Sequence, residues 1–247
     1  TLLKGKNVVS ITPEIVDPNF TFLELDVFFK YNPNLTDRTA VELTSVVRDT
    51  ISDYNFNNLN KFDGVFRHSQ LLRQIDNADP AIQNSTVNPF MFMNITPSTV
   101  NGANGFELKF TSPFFQSGNS TSFILSSSAF KLAGQTIDHF FGDVPILNST
   151  NRTVIVYKVV DGNNITVIPD AGLIDVTKGT VTLNNFTTAT TDQIRIIVTP
   201  NSLDLAPKRD QLISIDSSRV KITPAVDSIA VAGSSGTIGY TTPSRLR

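Results

Sequence analysis

The stretch from Tyr31 to Asp79 carries the one clear helical signal in this chain, and it constrains how the rest can be arranged. Leu43, Val46, Val47, Ile51 and Tyr54 recur at the spacing of a helix that buries one face. Thr39 and Glu42 stand at capping-box spacing, which sets the helix start near Thr39. The Asn-rich run Asn55 to Asn60 should interrupt the helix, because Asn side chains compete for backbone hydrogen bonds. A shorter helix is expected from Ser69, with Leu71, Leu72 and Ile75 on one side, stopped by Asp79-Pro80.

Outside this stretch the chain alternates in the manner of strands. Leu23, Leu25, Val27 and Phe29 form a wholly apolar row opposite Phe22, Glu24, Asp26 and Phe28, and the apolar row should face the helix. Phe62 to Phe66 suggests a short strand between the helices, and Val87 to Ile95 alternates again. The expected fold class is therefore α+β: a small two-layer α/β sandwich (β-α-β-α-β) over residues 18–97, followed by antiparallel β-rich modules at 98–160 and 161–232. Strands are expected at 106–110, 122–125, 153–160, 165–168, 173–175, 180–183, 193–199, 211–215 and 220–222. Val8, Val9 and Ile11 suggest one short strand in a connector at 1–17, which would continue from a missing N-terminal part since Thr1 is not a start. Residues 233–247, small and polar without period, read as a mobile or partner-ordered tail.

Composition narrows the function classes. A net charge of -2 and a pI near 5.6 argue against a nucleic-acid partner. The absence of cysteine removes disulfide scaffolds, thiolate metal sites and Cys nucleophiles together. No apolar run approaches the roughly 18 residues that span a bilayer, so no membrane partner is expected. Nine Asn-x-Ser/Thr sequons are what chance produces in a chain this rich in Asn and Thr.

No catalytic, cofactor or metal residues emerge. His68 and His139 have no sequence reason to meet a carboxylate and a nucleophile. Glu24 and Asp26, about 7 Å apart on one strand face, fall within the roughly 5 to 9.5 Å of a glycosidase pair, which any half-solvated strand also shows. Asp161-Gly162-Asn163-Asn164 lacks the Gly and Glu of a calcium loop and reads as a hairpin turn. Gly233 to Thr237 lacks the ending of a phosphate loop. The remaining lead is aromatic: 18 Phe with no Trp, several in the doublets Phe28-Phe29, Phe114-Phe115 and Phe140-Phe141. Adjacent strand residues point to opposite faces, so each doublet turns one ring away from the local core, into a second layer or against another chain. Phe28, Phe114, Phe115, Phe140 and Phe141 are the candidate interface residues. A carbohydrate-binding or adhesive β module is the rival class, disfavoured by the lack of Trp platforms.

Two ordered blocks carry a family likeness. The first runs Tyr31-Asn32-Pro33-Asn34-Leu35-Thr36, Phe62-Asp63, Phe66-Arg67-His68-Ser69, Leu71-Leu72-Arg73-Gln74-Ile75-Asp76 and Ile82-Gln83-Asn84-Ser85. The second runs Gly172-Leu173-Ile174-Asp175, Lys178-Gly179, Asn185-Phe186, Pro200-Asn201-Ser202-Leu203-Asp204 and Arg209-Asp210-Gln211-Leu212-Ile213. Together they resemble the C-terminal region of the baseplate wedge subunit of T-even-type contractile-tailed phages, the gene-product-six family related to the baseplate J-like proteins. The resemblance implies a non-enzymatic virion protein with no cofactor, assembled in the bacterial cytoplasm. Its implied partners are itself, as a pair or a ring around the tail hub, and other baseplate wedge proteins.

Overall fold

The computed structural model describes residues 19–116, 122–208 and 211–229. The strand expected at Val8 to Ile11 and the tail from Gly233 lie outside the described residues. The elements are, in chain order, β1 (Asn19–Tyr31), α1 (Ala40–Asn58), α2 (His68–Asp76), β2 (Ile82–Ile95), β3 (Ala103–Lys109), β4 (Leu125–Ser127), β5 (Phe140–Pro145), β6 (Arg152–Val160), β7 (Asn163–Asp175), β8 (Thr180–Thr187), β9 (Ile194–Val198) and β10 (Gln211–Val226). They build two five-stranded sheets: a mixed one ordered β10-β1-β2-β9-β4 and an antiparallel one ordered β3-β8-β7-β6-β5.

The helices cover one face of the mixed sheet. The capping box forms, with the Thr39 N–H donating to Glu42 Oε2 at 2.7 Å and the Glu42 N–H donating to Thr39 Oγ1 at 3.3 Å. Leu43, Val47, Ile51 and Tyr54 of α1 and Leu71 and Ile75 of α2 are buried, and the apolar row Leu23, Leu25, Val27 and Phe29 of β1 is fully enclosed. Each such side chain contributes roughly 1.5–3 kcal/mol by leaving water. The Asn run ends α1, at Asn58 and not at its first residue. Asn55 turns its amide to β10, accepting the Ile215 N–H at 2.9 Å and donating to the Ile215 carbonyl at 3.1 Å, so it leaves the helical bonds alone. The turn comes at Asn60, which takes a φ of 56° that Asn tolerates.

The expected β-α-β-α-β sandwich is corrected by this architecture. Among the described residues ten strands stand against two α-helices, and the sheet beneath the helices is not made locally. Phe62–Phe66 contributes only an isolated bridge from Phe66 to Leu205, because left-handed turns at Asn60 and Asp63 curl the segment out of extended form. β1 and β2 are instead completed by β10, β9 and β4, with β10 running parallel to β1 from Asn19↔Gln211 to Tyr31↔Val226. β7 joins two stretches that looked separate, bending at Gly172, where φ is 149° and an added Cβ would lie 1.9 Å from the Thr182 carbonyl oxygen. β10 likewise joins two, with a register shift opposite Leu23 and Leu25. β5 has no counterpart among the strands that alternation predicts.

The chain crosses repeatedly between the sheets, and one buried ion pair fixes the joint. Asp143 on β5 accepts the Ile124 and Leu125 N–H groups, both at 2.9 Å, and is paired with Arg152 Nε on β6. Arg152 Nη2 donates to the Ser122 carbonyl at 3.1 Å, and both charged side chains are wholly buried. Ser127 Oγ on β4 accepts the Phe141 N–H at 2.8 Å. Breaking a buried pair strands an uncompensated charge at a cost of about 3–5 kcal/mol, whereas apolar replacement of both partners is often neutral. Asp143→Leu alone should therefore lower stability by about 3 kcal/mol or more in urea unfolding. The double variant Asp143→Leu with Arg152→Met should recover more than half of that loss; a double variant no more stable than the single one would contradict the assignment.

Candidate interaction surface

The side of the mixed sheet without helices carries polar and aromatic side chains. Phe20, Phe22 and Phe92 stack with centroids 5.6 and 5.4 Å apart, and the Arg195 guanidinium lies 5.7 Å above the Phe92 ring. Phe22, Phe28 and Phe90 are half-buried and Phe20 is 38% exposed. Glu24 pairs with Arg195 at 3.6 Å and Asp26 with Lys221 at 3.8 Å. Burial pushes the Glu24 carboxyl above its ordinary value, against the pull of Arg195 and Arg219. Each carboxylate has its own cation and neighbours a sheet surface. Beside the aromatic stack, a cleft of about 570 Å³ lies between the β1–β2 end of this sheet and β3 of the other.

The doublets divide as strand geometry requires. Phe29, Phe114 and Phe141 are enclosed in the chain's own core, while Phe28 and Phe140 are half-buried and Phe115 is 49% exposed. Phe140 stacks on Tyr157 at 5.7 Å, and Phe123 meets the same ring at 5.0 Å. Two rings that the doublet argument passes over are the most exposed aromatics among the described residues: Phe56 at 82% and Phe62 at 64%. Phe56 sits two residues beyond Tyr54, which on a helix turns it to the side opposite the buried stripe, so the helical wheel held the signal. Phe62 lies in the turn between Lys61 and Asp63.

The remaining candidates fall apart spatially and chemically. His68 opens α2; its ring Nε2 bonds the Val87 carbonyl at 2.8 Å and its N–H donates to Asp204 at 3.0 Å. Asp204 also pairs with Arg67 at 2.9 Å, and these two bonds hold its carboxyl below the ordinary range. A cap supplied from that far along the chain has no local sequence signal. Asp161 and Gly162, with φ of 52° and 77°, make the two-residue turn between β6 and β7. Among the described residues no group of three or more His, Asp or Glu could hold a metal.

His139 is fully buried. Its backbone pairs with Phe130 in both directions, at 2.8 and 3.0 Å, and its Nδ1 lies 3.1 Å from the Ile137 carbonyl, which makes Nδ1 the proton-bearing nitrogen. Nε2 has no partner. Desolvation lowers the pKa beneath its ordinary 6.5, aided by Lys158 and opposed by the Ile137 carbonyl and Asp138. The fold thus favours the neutral ring, and the unfolded chain binds the extra proton first. Stability from this group is intact above pH 6.5 and declines as pH falls below it. His139→Gln should flatten the fall of the urea midpoint between pH 7 and pH 5; a variant whose pH dependence matches the wild type would remove His139 as its source.

Comparison with known proteins bears on the helical half of the mixed sheet. Residues 19–93, which run from β1 through both helices into β2, match the family described as baseplate structural protein gp6, C-terminal domain III. The chain is 29% identical over 84 residues to the baseplate wedge protein gp6 of Enterobacteria phage T4; the alignment covers 34% of this chain and 13% of that relative.

Proposed function

We propose, from the premise that residues 19–93 are a gp6-family C-terminal domain III and that the chain is a structural protein of the virion tail baseplate, that this chain associates with itself and with other wedge proteins to build the inner ring around the tail hub. The observation that carries the reading is the pair of solvent-exposed rings, Phe56 and Phe62, within the segment that matches the family. A phenylalanine in water forfeits the burial energy that every core ring gains, roughly 1.5–3 kcal/mol, and a subunit contact recovers it. Aromatic residues are enriched at the cores of subunit interfaces for the same reason. Phe28, Phe115 and Phe140 offer further rings on other faces, as a ring subunit with more than one kind of neighbour needs. A non-enzymatic role agrees with carboxylates that are individually paired and histidines engaged with backbone groups.

Sedimentation of the chain at tens of micromolar should show a dimer or larger species. Phe56→Asp with Phe62→Asp should shift it to monomer with the melting temperature kept within a few degrees, since neither ring belongs to the core. A wild-type monomer across that range, or an oligomer indifferent to both substitutions, would refute self-association through these rings.

A further inference from the structure

The cleft between the sheets holds an open strand edge. Among the described residues β3 is the terminal strand of its sheet, paired only with β8. The Phe110 N–H donates to the Gly179 carbonyl at 2.9 Å, which by alternation turns Leu108 toward β8 and leaves the backbone groups of Glu107 and Lys109 pointing away from it. The Lys109 carbonyl already takes a strand-like bond on that side, from Gln211 Nε2 at 2.5 Å. The Glu107 N–H and carbonyl and the Lys109 N–H face the cleft, whose wall carries the stacked Phe20 and Phe22 and the exposed amide of Asn94.

Among the described residues the other terminal strands are engaged at several points along their edges. Along β10, Asn55 occupies Ile215, the Asn60 N–H takes the Ile213 carbonyl, Arg48 takes the Ser217 carbonyl, and Pro224 has no N–H to offer. On β5, Ser127 takes the Phe141 N–H, the Phe130–His139 pair covers the start and Pro145 ends the strand. β4 is three residues long. Among the described residues β3 combines a free strand edge with the 570 Å³ cleft.

We propose that this cleft binds an extended segment of a different protein, which adds as a strand to the edge of β3 at Glu107 and Lys109 and lays an apolar side chain on the Phe20–Phe22 stack. The chemistry selects this occupant. Unpaired N–H and carbonyl groups in a row are complementary to another extended backbone, and side chains in neighbouring pockets supply the choice of sequence. The Glu107–Lys109 pair, 3.2 Å apart, is neutral overall, and Asn94 offers an amide, so the segment is uncharged where it enters. A second copy is the alternative occupant, and its signature is an oligomer of the chain that Glu107→Pro alone dissolves. The inference is independent of the self-association proposed above, which uses other residues.

The test pans a display library of short random peptides on the full chain, with Glu107→Pro as the counter-selection. Proline there removes an outward N–H and leaves the Leu108 pairing to β8 in place. Enriched peptides should share an apolar residue flanked by small uncharged ones. Synthetic copies should bind the wild type in calorimetry and lose about tenfold or more in affinity against Glu107→Pro and Phe22→Asp. N-methylation at alternate peptide amides should abolish binding while methylation of the intervening ones leaves it unchanged, a readout on wild-type protein that holds even where a variant fails to fold. Three results would overturn the proposal: no enrichment over the counter-selection, peptides that tolerate every N-methyl group, or an oligomer of the chain that Glu107→Pro alone dissolves.

Discussion

Two charges without access to water hold the halves of this molecule in register. Asp143 and Arg152 lie on neighbouring strands of the antiparallel sheet, yet the other bonds of the cluster go to Ile124, Leu125 and Ser122, which lead into the last strand of the mixed sheet. Apolar packing between sheets is non-directional and tolerates sliding. A carboxylate that must find two amides and a guanidinium does not. Burial raises the cost of the Asp143 charge, and the donors around it offset that cost only in one arrangement, so the ion pair selects a geometry more than it adds stability. For a domain that must hold its shape inside a large assembly, a defined angle between sheets is worth more than a stronger core.

The phenylalanines separate into two populations with different tasks. Phe130, Phe141 and Phe186 meet one another at 4.6 to 6.2 Å, and Phe110 meets Phe114 at 5.3 Å, all of them inside the chain's core. Others stand at the periphery, stacked in pairs or facing water. A chain with 17% charged residues and isolated exposed rings offers many contacts that depend little on salt.

What could be read from the residues was whatever depends on near neighbours. The helix start at Thr39, the buried stripe of α1, the inward row of β1 and the turn at Asp161 all follow from spacings of a few residues. The wedge-family likeness rested on two blocks, of which the family match covers the first. The architecture escaped because it depends on partners far apart. β10 alternates like any strand, and nothing local states that it lies parallel to β1; Asp204 caps a helix that begins at residue 68. Where α1 ends within the Asn run escaped for the same reason, since Asn55 bonds a strand 160 residues away. The exposed rings escape for a different reason: a doublet on a strand marks an outward ring, while Phe56 stands alone on a helix.

The parallel pairing of β1 with β10 also governs how the chain comes into being. During synthesis β1 is made first, and the strand that closes its flank emerges roughly 190 residues later, tens of seconds at the lower end of ribosomal speeds. Until then a long apolar strand presents an unpaired border, the kind of template on which chains join wrongly. α1 and α2 emerge at once and can shield its face, but not its rim. The length of that exposed interval is written into the topology, through the sequence separation of the two strands.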